Sequence, residues 1–419
     1  MTQSTTTRSG SGFQKIEDRS EVDGVRRVAI VSSHPIQYNA PLFRYLASDK
    51  RLKVKVYYTW SQSEAGLKYD PEFRRDIKWD IPLLEGYDFE FVKNTARKPG
   101  SDHFWGIVNP DLVPKVLAWQ PDVVIVYGWN FYSHLKLIRE IAGKVLLGFR
   151  GDSHLLSGRQ GFKSILKRKL LRWIYSKIDF AYYVGSYNRS YFAHYGIQPE
   201  QLVFVPHAVD NKRFRHNPNN LEELAFQWKA DLGIKKSETI FLYAGKFIQK
   251  KNLFFLIQSF NKLKTTDAKL IMVGSGILEK VLKKVAEGNE NIIFLDFQNQ
   301  SMMPVLYKMA DVFVLPSRMN ETWGLGINEA MASGKAIICS DQVGCAPDLV
   351  MNGGNGFVVG SEDEEGMVKA MELLVTDKTL LEQYKKASLE IISDWSIEKA
   401  YKKMADHICS VAVGQKIHN

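Results

Sequence analysis

Strand-like apolar runs alternate with helix-patterned stretches from one end of this chain to the other, an order that admits few folds. Such alternation builds parallel sheets from βαβ units, because each crossover helix covers a sheet face that is apolar on both sides. RRVAIVSS (26–33), KVKVYYTW (53–60), DVVIVYG (122–128), KVLLGF (144–149), DFAYYVG (179–185) and LVFVP (202–206) read as strands of a first domain. The polar stretch DNKRFRHNPNN (210–220) reads as an interdomain connection. A second series follows: ETIFLYAG (238–245), AKLIMVG (268–274), NIIFLD (291–296), DVFVLPS (311–317), KAIICSD (335–341) and GFVVG (356–360). A chain of 419 residues exceeds the roughly 250–300 residues at which a single core stops growing. The expected architecture is therefore α/β, with two doubly wound domains facing each other across a cleft. The expected boundaries are 25–206 and 207–394, with a terminal helical segment, 395–419.

Composition narrows the function classes. No apolar run reaches the about 18–20 residues needed to span a bilayer. Residues 1–24 are rich in Ser, Thr and Gly and lack an apolar signal segment, so they read as a disordered tail and the chain as cytoplasmic. Cys339, Cys345 and Cys409 have no metal-ligand spacing and read as reduced thiols in a packed interior. Residues 1–205 hold 30 Lys+Arg against 20 Asp+Glu, whereas residues 206–419 hold 26 of each, so the whole basic excess is N-terminal. Part of it lies in FKSILKRKLLRWIYSK (162–177), a basic amphipathic segment. That segment suits an anionic membrane at the inner face or an acidic acceptor, and equally a solvated helix face. No zinc-finger or RNA-recognition spacing accompanies the charge, so nucleic acid is not an expected partner.

The chemistry is concentrated in NETWGLGINEAMASGKAIICSD (320–341), where Glu321 and Glu329 stand eight apart around a Trp-Gly-Leu-Gly turn. Gly324, Leu325 and Gly326 open a helix whose N-terminal N–H groups can meet an anion. Glu329 is expected about two turns into that helix, so the two carboxylates can hold hydroxyls on either side of a phosphate-bearing ligand. A capping acid and an ordinary helix glutamate give the same letters. Lys246 follows the strand TIFLYAG directly and Lys251 lies five residues on, so both ammonium groups can neutralise a diphosphate. Gly274 and Gly276 mark a strand-to-helix turn, but Glu279 stands where a dinucleotide fingerprint would place its third glycine. No Asp-x-Asp occurs, which disfavours a metal held by paired acids; neither metal nor cofactor is expected.

LYAGKFIQKKN, LIMVGSG, the 320–341 run and NGGNGFVV together resemble the C-terminal domain of family 4 glycosyltransferases, strongly over 238–360 and more loosely elsewhere. That resemblance implies the GT-B fold, two Rossmann-like domains, with a terminal helix crossing back to the first. It also implies a retaining transfer from a nucleotide sugar, a UDP- or GDP-sugar, to a glycan, lipid-linked or small-molecule acceptor. By the same resemblance Lys246 and Lys251 bind the donor diphosphate, Glu321 contacts the transferred sugar and Glu329 holds the ribose hydroxyls. Backbone groups at 324–326 and near Gly274, together with 297–300, serve the donor. One departure is Lys246, where the family usually has Arg.

In the first domain His34, Gln37 and Tyr38 fill a position where many relatives carry a glycine-rich loop, a variant similar to one in bacterial polysaccharide glycosyltransferases. They suit sugar hydroxyls on the acceptor side, or a turn fixed by Pro35 and Pro41. Arg150, Asp152 and His154 follow the strand KVLLGF near where relatives place a His-Asp pair, with Arg150 assigned to the acceptor side; an Arg150–Asp152 salt bridge is the structural alternative. Rival readings are a sugar-nucleotide epimerase, a dinucleotide oxidoreductase and a non-catalytic nucleotide-sugar-binding protein.

Overall fold

The apolar runs become strands because β-branched and aromatic residues pack well on a pleated surface buried on both faces. A computed structural model of the protein describes residues 24–60, 68–70, 72–156, 162–215 and 220–411. The expected tail, but for Gly24, lies outside them. In the first domain the strands are β1 (Arg26–Ser32), β2 (Leu52–Tyr58), β3 (Lys68–Asp70), β4 (Arg75–Ile77), β5 (Asp88–Phe91), β6 (Val123–Tyr127), β7 (Leu146–Arg150), β8 (Phe180–Tyr183) and β9 (Leu202–Phe204). The second has β10 (Thr239–Ala244), β11 (Ala268–Val273), β12 (Ile292–Leu295), β13 (Val312–Leu315), β14 (Ala336–Ser340) and β15 (Gly356–Val359).

Two parallel sheets result, one of seven strands ordered β5-β2-β1-β6-β7-β8-β9 and one of six ordered β12-β11-β10-β13-β14-β15. Each reverses direction once, between β1 and β6 and between β10 and β13, and ligands in such sheets bind beyond the carboxyl ends at that reversal. All twelve expected strands form. β3, β4 and β5 were not expected; β3 and β4 pair antiparallel as a separate hairpin.

Alternation along β1 shows how the first sheet is covered. Ala29 and Val31 face one core, with Leu137, Ile138 and Ile141 of the helix Tyr132–Ile141. Val28 and Ile30 face the other, with Ala400, Met404 and Ile408 of the terminal helix Ile397–Ser410. The last helix of the chain thus packs against the first sheet. Its polar flank is tied there as well: Tyr401 donates to Asp49 at 3.0 Å, Tyr45 to Glu398 at 3.1 Å, and Arg51 pairs with Asp406 at 2.9 Å. Cys339 and Cys345 are buried free thiols, and Cys409 is half-buried.

Candidate active site

The carboxyl ends of β10 and β13 carry the two halves of the site. After β10, Tyr243 donates to the Lys246 carbonyl at 2.8 Å and fixes the turn that presents both lysines. The short helical turn Gln249–Lys251 is held to the loop after β13 by Arg318 N–H donating to the Lys250 carbonyl at 2.8 Å. Lys251 thereby reaches Glu321 and forms a short ion pair with its Oε2, which also accepts from the Ser317 hydroxyl at 2.8 Å. Burial alone would raise the Glu321 carboxyl, but the adjacent ammonium outweighs it and holds the group below its ordinary value. Glu321 is thus an anion out of bulk water.

The helix Leu325–Ala332 begins at Gly324, whose φ of 98° is left-handed and suits glycine. Trp323 and Asn328 hold this corner: the indole donates to Asn328 at 2.8 Å, and Asn328 donates to the His207 carbonyl at 3.0 Å. Glu329 lies just over one turn into the helix, not two, because the first helical residue is Leu325 and not the preceding loop. Its Oε2 accepts from Tyr307 at 2.8 Å, whereas its Oε1 is buried without a partner. Burial raises the Glu329 carboxyl despite the nearby Arg213 and the hydroxyls of Tyr307 and Tyr38. An unpartnered buried acceptor is costly. A ligand hydroxyl donating to Oε1 would relieve it.

These groups share one cavity of about 350 Å³, within the range of small-molecule sites. Lys246, Lys251, Glu321, Gly324, Leu325, Gly326, Glu329, Gly274, Gln37, Tyr38 and Asp152 line it, with His207 and Phe297. Gly274 has a packing role there: a Cβ would lie 1.9 Å from the Gly245 carbonyl oxygen, so glycine lets the loops after β10 and β11 touch.

Three expected residues stand differently from the reading of the sequence. Arg150 is buried and donates to the carbonyls of Val205 and Pro206 at 3.0 and 3.2 Å, so it ties β7 to the segment after β9 and faces no acceptor. No Arg150–Asp152 ion pair forms; Asp152 instead accepts from Thr322 at 2.8 Å. His154 Nε2 meets the Glu321 carbonyl at 3.0 Å while its Nδ1 accepts from Leu156 N–H at 3.3 Å, so one ring nitrogen holds the Glu321 loop and the other the histidine's own turn. His34 packs edge-on against Trp60, centroids 5.4 Å apart, bonds Ser33 at 3.0 Å, and is not among the cavity-lining residues. His207 went unnoticed in the sequence. It follows β9 at a sheet's carboxyl end, which was the available signal, and burial lowers its imidazole to about 4.

Residues 225–390 match the family model described as "Glycosyl transferases group 1". Over that stretch the chain is similar to the group 1 glycosyl transferases. The chain is 26% identical over 366 residues to the GDP-mannose-dependent alpha-(1-6)-phosphatidylinositol monomannoside mannosyltransferase of Mycobacterium tuberculosis, covering 83% of this chain and 90% of that one. It is 25% identical over 221 residues to the lipopolysaccharide 1,2-N-acetylglucosaminetransferase of Salmonella typhimurium, covering 49% of this chain and only 56% of that enzyme's length. Its fold is similar to sucrose-phosphate synthase of Thermosynechococcus elongatus, with TM-score 0.68 and 17% identity over 91% of this chain and 98% of that chain. Anabaena HepE, solved in complex with UDP and glucose, gives TM-score 0.67 and 18% identity over 92% of this chain and 100% of that chain. The chain thus has the GT-B fold.

Because Lys251 is what keeps Glu321 ionised, Lys251→Met should cost stability at pH 7.5, by about 1–3 kcal/mol for a mostly buried pair. Without the lysine, burial raises the folded-state carboxyl above its unfolded value, so the folded protein binds the extra proton and the loss shrinks at lower pH. Thermal melts should show a larger deficit at pH 7.5 than at pH 5.5, and Glu321→Gln added to Lys251→Met should recover part of it. Equal deficits at both pH values would contradict the pairing.

Proposed function

We propose that this glycosyltransferase moves a sugar from a nucleotide diphosphate sugar, a UDP- or GDP-sugar, to a glycan, lipid-linked or small-molecule acceptor, with retention and without a metal. The observation that carries this reading is the placement of Lys246, Lys251, an ionised Glu321 and the half-satisfied Glu329 around one cavity at the sheet's reversal point. Glu329 Oε1 suits a ribose hydroxyl, the lysines and the N-terminus of the 325–332 helix suit the diphosphate, and Glu321 suits the transferred sugar. As the bond from the anomeric carbon to the diphosphate breaks, charge grows on the leaving oxygen, where lysine ammonium groups stabilise it. The acceptor oxygen bonds the anomeric carbon from the same face, and its proton passes to the leaving diphosphate. The names of the mycobacterial relative, GDP-mannose-dependent, and of the HepE complex, with UDP, support these two donor classes.

The acceptor side is proposed to be the first domain. Directly after the Asp152–His154 loop, the helix Phe162–Tyr175 buries Leu171 and Ile174 but exposes Ile165, Leu166, Leu170 and Trp173 among Lys167, Arg168, Lys169 and Arg172. No helix among the described residues is long and apolar enough to cross a membrane. We place this face on the inner, anionic surface of a membrane, where a lipid-linked acceptor would be presented.

Glu321→Gln and Lys251→Ala should each cut transfer by about 10²–10³-fold with the fold retained by circular dichroism, and EDTA should leave the wild-type rate unchanged. Full activity in either variant, or loss in EDTA, would overturn the assignment. Sedimentation with phosphatidylglycerol vesicles should exceed that with phosphatidylcholine and weaken from low to physiological salt; indifference to lipid charge would remove the membrane contact.

A further inference from the structure

The hairpin β3–β4 and the residues after it belong to the first domain yet lie on the second, across the donor cavity. Lys246 Nζ pairs with Asp70 at 3.0 Å and with Glu72 at 2.6 Å, and Lys250 lies 4.0 Å from Glu72. The same ammonium sits 5.0 Å over the Phe73 ring, and Phe73 meets Phe297 edge-on at 5.1 Å. Arg75 covers the Phe297 ring at 4.9 Å. Ser275 donates to the Phe73 carbonyl at 3.0 Å, Asn299 to the Lys78 carbonyl at 2.5 Å, and Ser301 N–H to Asp80 at 3.0 Å. Glu72, Phe73 and Trp79 thereby become walls of the cavity.

The carboxylates meet a lysine that the proposed function assigns to the donor diphosphate. Two carboxylates on one ammonium reproduce the charge a diphosphate would bring there. The contact is also built to yield. Ion pairs at this degree of exposure are individually weak, Glu72 being 46% exposed. A two-stranded hairpin of three-residue strands has little stability of its own. Asp70 is retained as an anion although burial would raise it, since Phe73 N–H, Lys246 and Glu72 N–H together outweigh that effect.

We propose that Asp70 and Glu72 are specificity-determining residues for the donor: they hold Lys246 as an internal counter-charge that the diphosphate must displace. This rests on the nucleotide-sugar reading of the cavity. The hairpin sets a threshold that a ligand crosses only by bringing its own negative charge to the lysine, and the carboxylates exclude uncharged sugars from the lysine end of the cleft. Once released, the hairpin frees Phe73 and Phe297 from each other, so that either ring can stack on a base.

Isothermal titration of the full chain with UDP and with GDP tests this. Glu72→Gln leaves intact the turn in which Asp70 accepts from the backbone of residues 72 and 73; Asp70→Asn with Glu72→Gln removes both charges. For whichever nucleotide binds the wild type, Kd should fall several-fold in Glu72→Gln and about tenfold in the double variant, close to 1.4 kcal/mol. Lys246→Ala should weaken binding and abolish the gain from Glu72→Gln. Unchanged or weaker nucleotide binding in both carboxylate variants, with the wild type binding normally, would overturn the gate and leave the donor site standing. Absence of UDP and GDP binding to wild type and variants alike would overturn the donor site and the gate with it.

Discussion

The ion pair between Lys251 and Glu321 is the contact on which the rest of the site depends. Burial works against the charge on Glu321 and the Lys251 ammonium outweighs it, the lysine and glutamate side chains being only 15% and 14% exposed. Because Lys251 comes from the end of β10 and Glu321 from the loop after β13, satisfying the pair brings together the two strand ends that flank the sheet reversal. The Glu321 loop is then gripped from the first domain by Asp152 on Thr322 and His154 on the Glu321 carbonyl. One electrostatic requirement therefore couples the interior of the second domain to the orientation of the first.

Glu329 presents the opposite arrangement. It is more deeply buried, its neighbours leave one oxygen unpartnered, and burial raises its carboxyl. A protein tolerates such a group where a ligand completes it. The cleft thus holds one acid whose charge is fully countered and one whose hydrogen bonding is unfinished. That difference accords with the separate roles proposed for them, one beside the transferred sugar and one in gripping the donor. Lys246 is the third element, countered from across the cleft by the hairpin. Both lysines are thus countered by carboxylates, so no bare positive charge faces the cavity at these two positions.

Much of this was legible in the sequence where periodicity carries information. All twelve strands of the two sheets other than β5 were visible as apolar runs, because burial on both faces forces them to be so. β5, DFEF, alternates acids with aromatics at the sheet edge and is only half-buried. β3 and β4, KYD and RDI, are three residues each and too short to show a period; their hairpin is held by contact with the other domain, which local pattern cannot register. Charged residues were the hardest to place. Arg150 looked available for an acceptor and is spent on two backbone carbonyls, while His207, just past the strand 202–206 and unnoticed in the sequence, lines the cavity. Glu321, Glu329, Lys246 and Lys251 line one cavity because strand ends and a helix N-terminus fix where such groups converge.

The most direct test of a sugar-nucleotide site built on Glu329 is a thermal-shift panel of UDP, GDP, ADP and dTDP with their common sugar conjugates, on wild type and Glu329→Ala. Binding to the folded state alone at about 100 times Kd contributes about 2.7 kcal/mol, enough to raise the melting point by several degrees. The expected result is stabilisation by one nucleotide family, lost in the variant. No shift with any nucleotide at millimolar concentration, or an equal shift in Glu329→Ala, would contradict it.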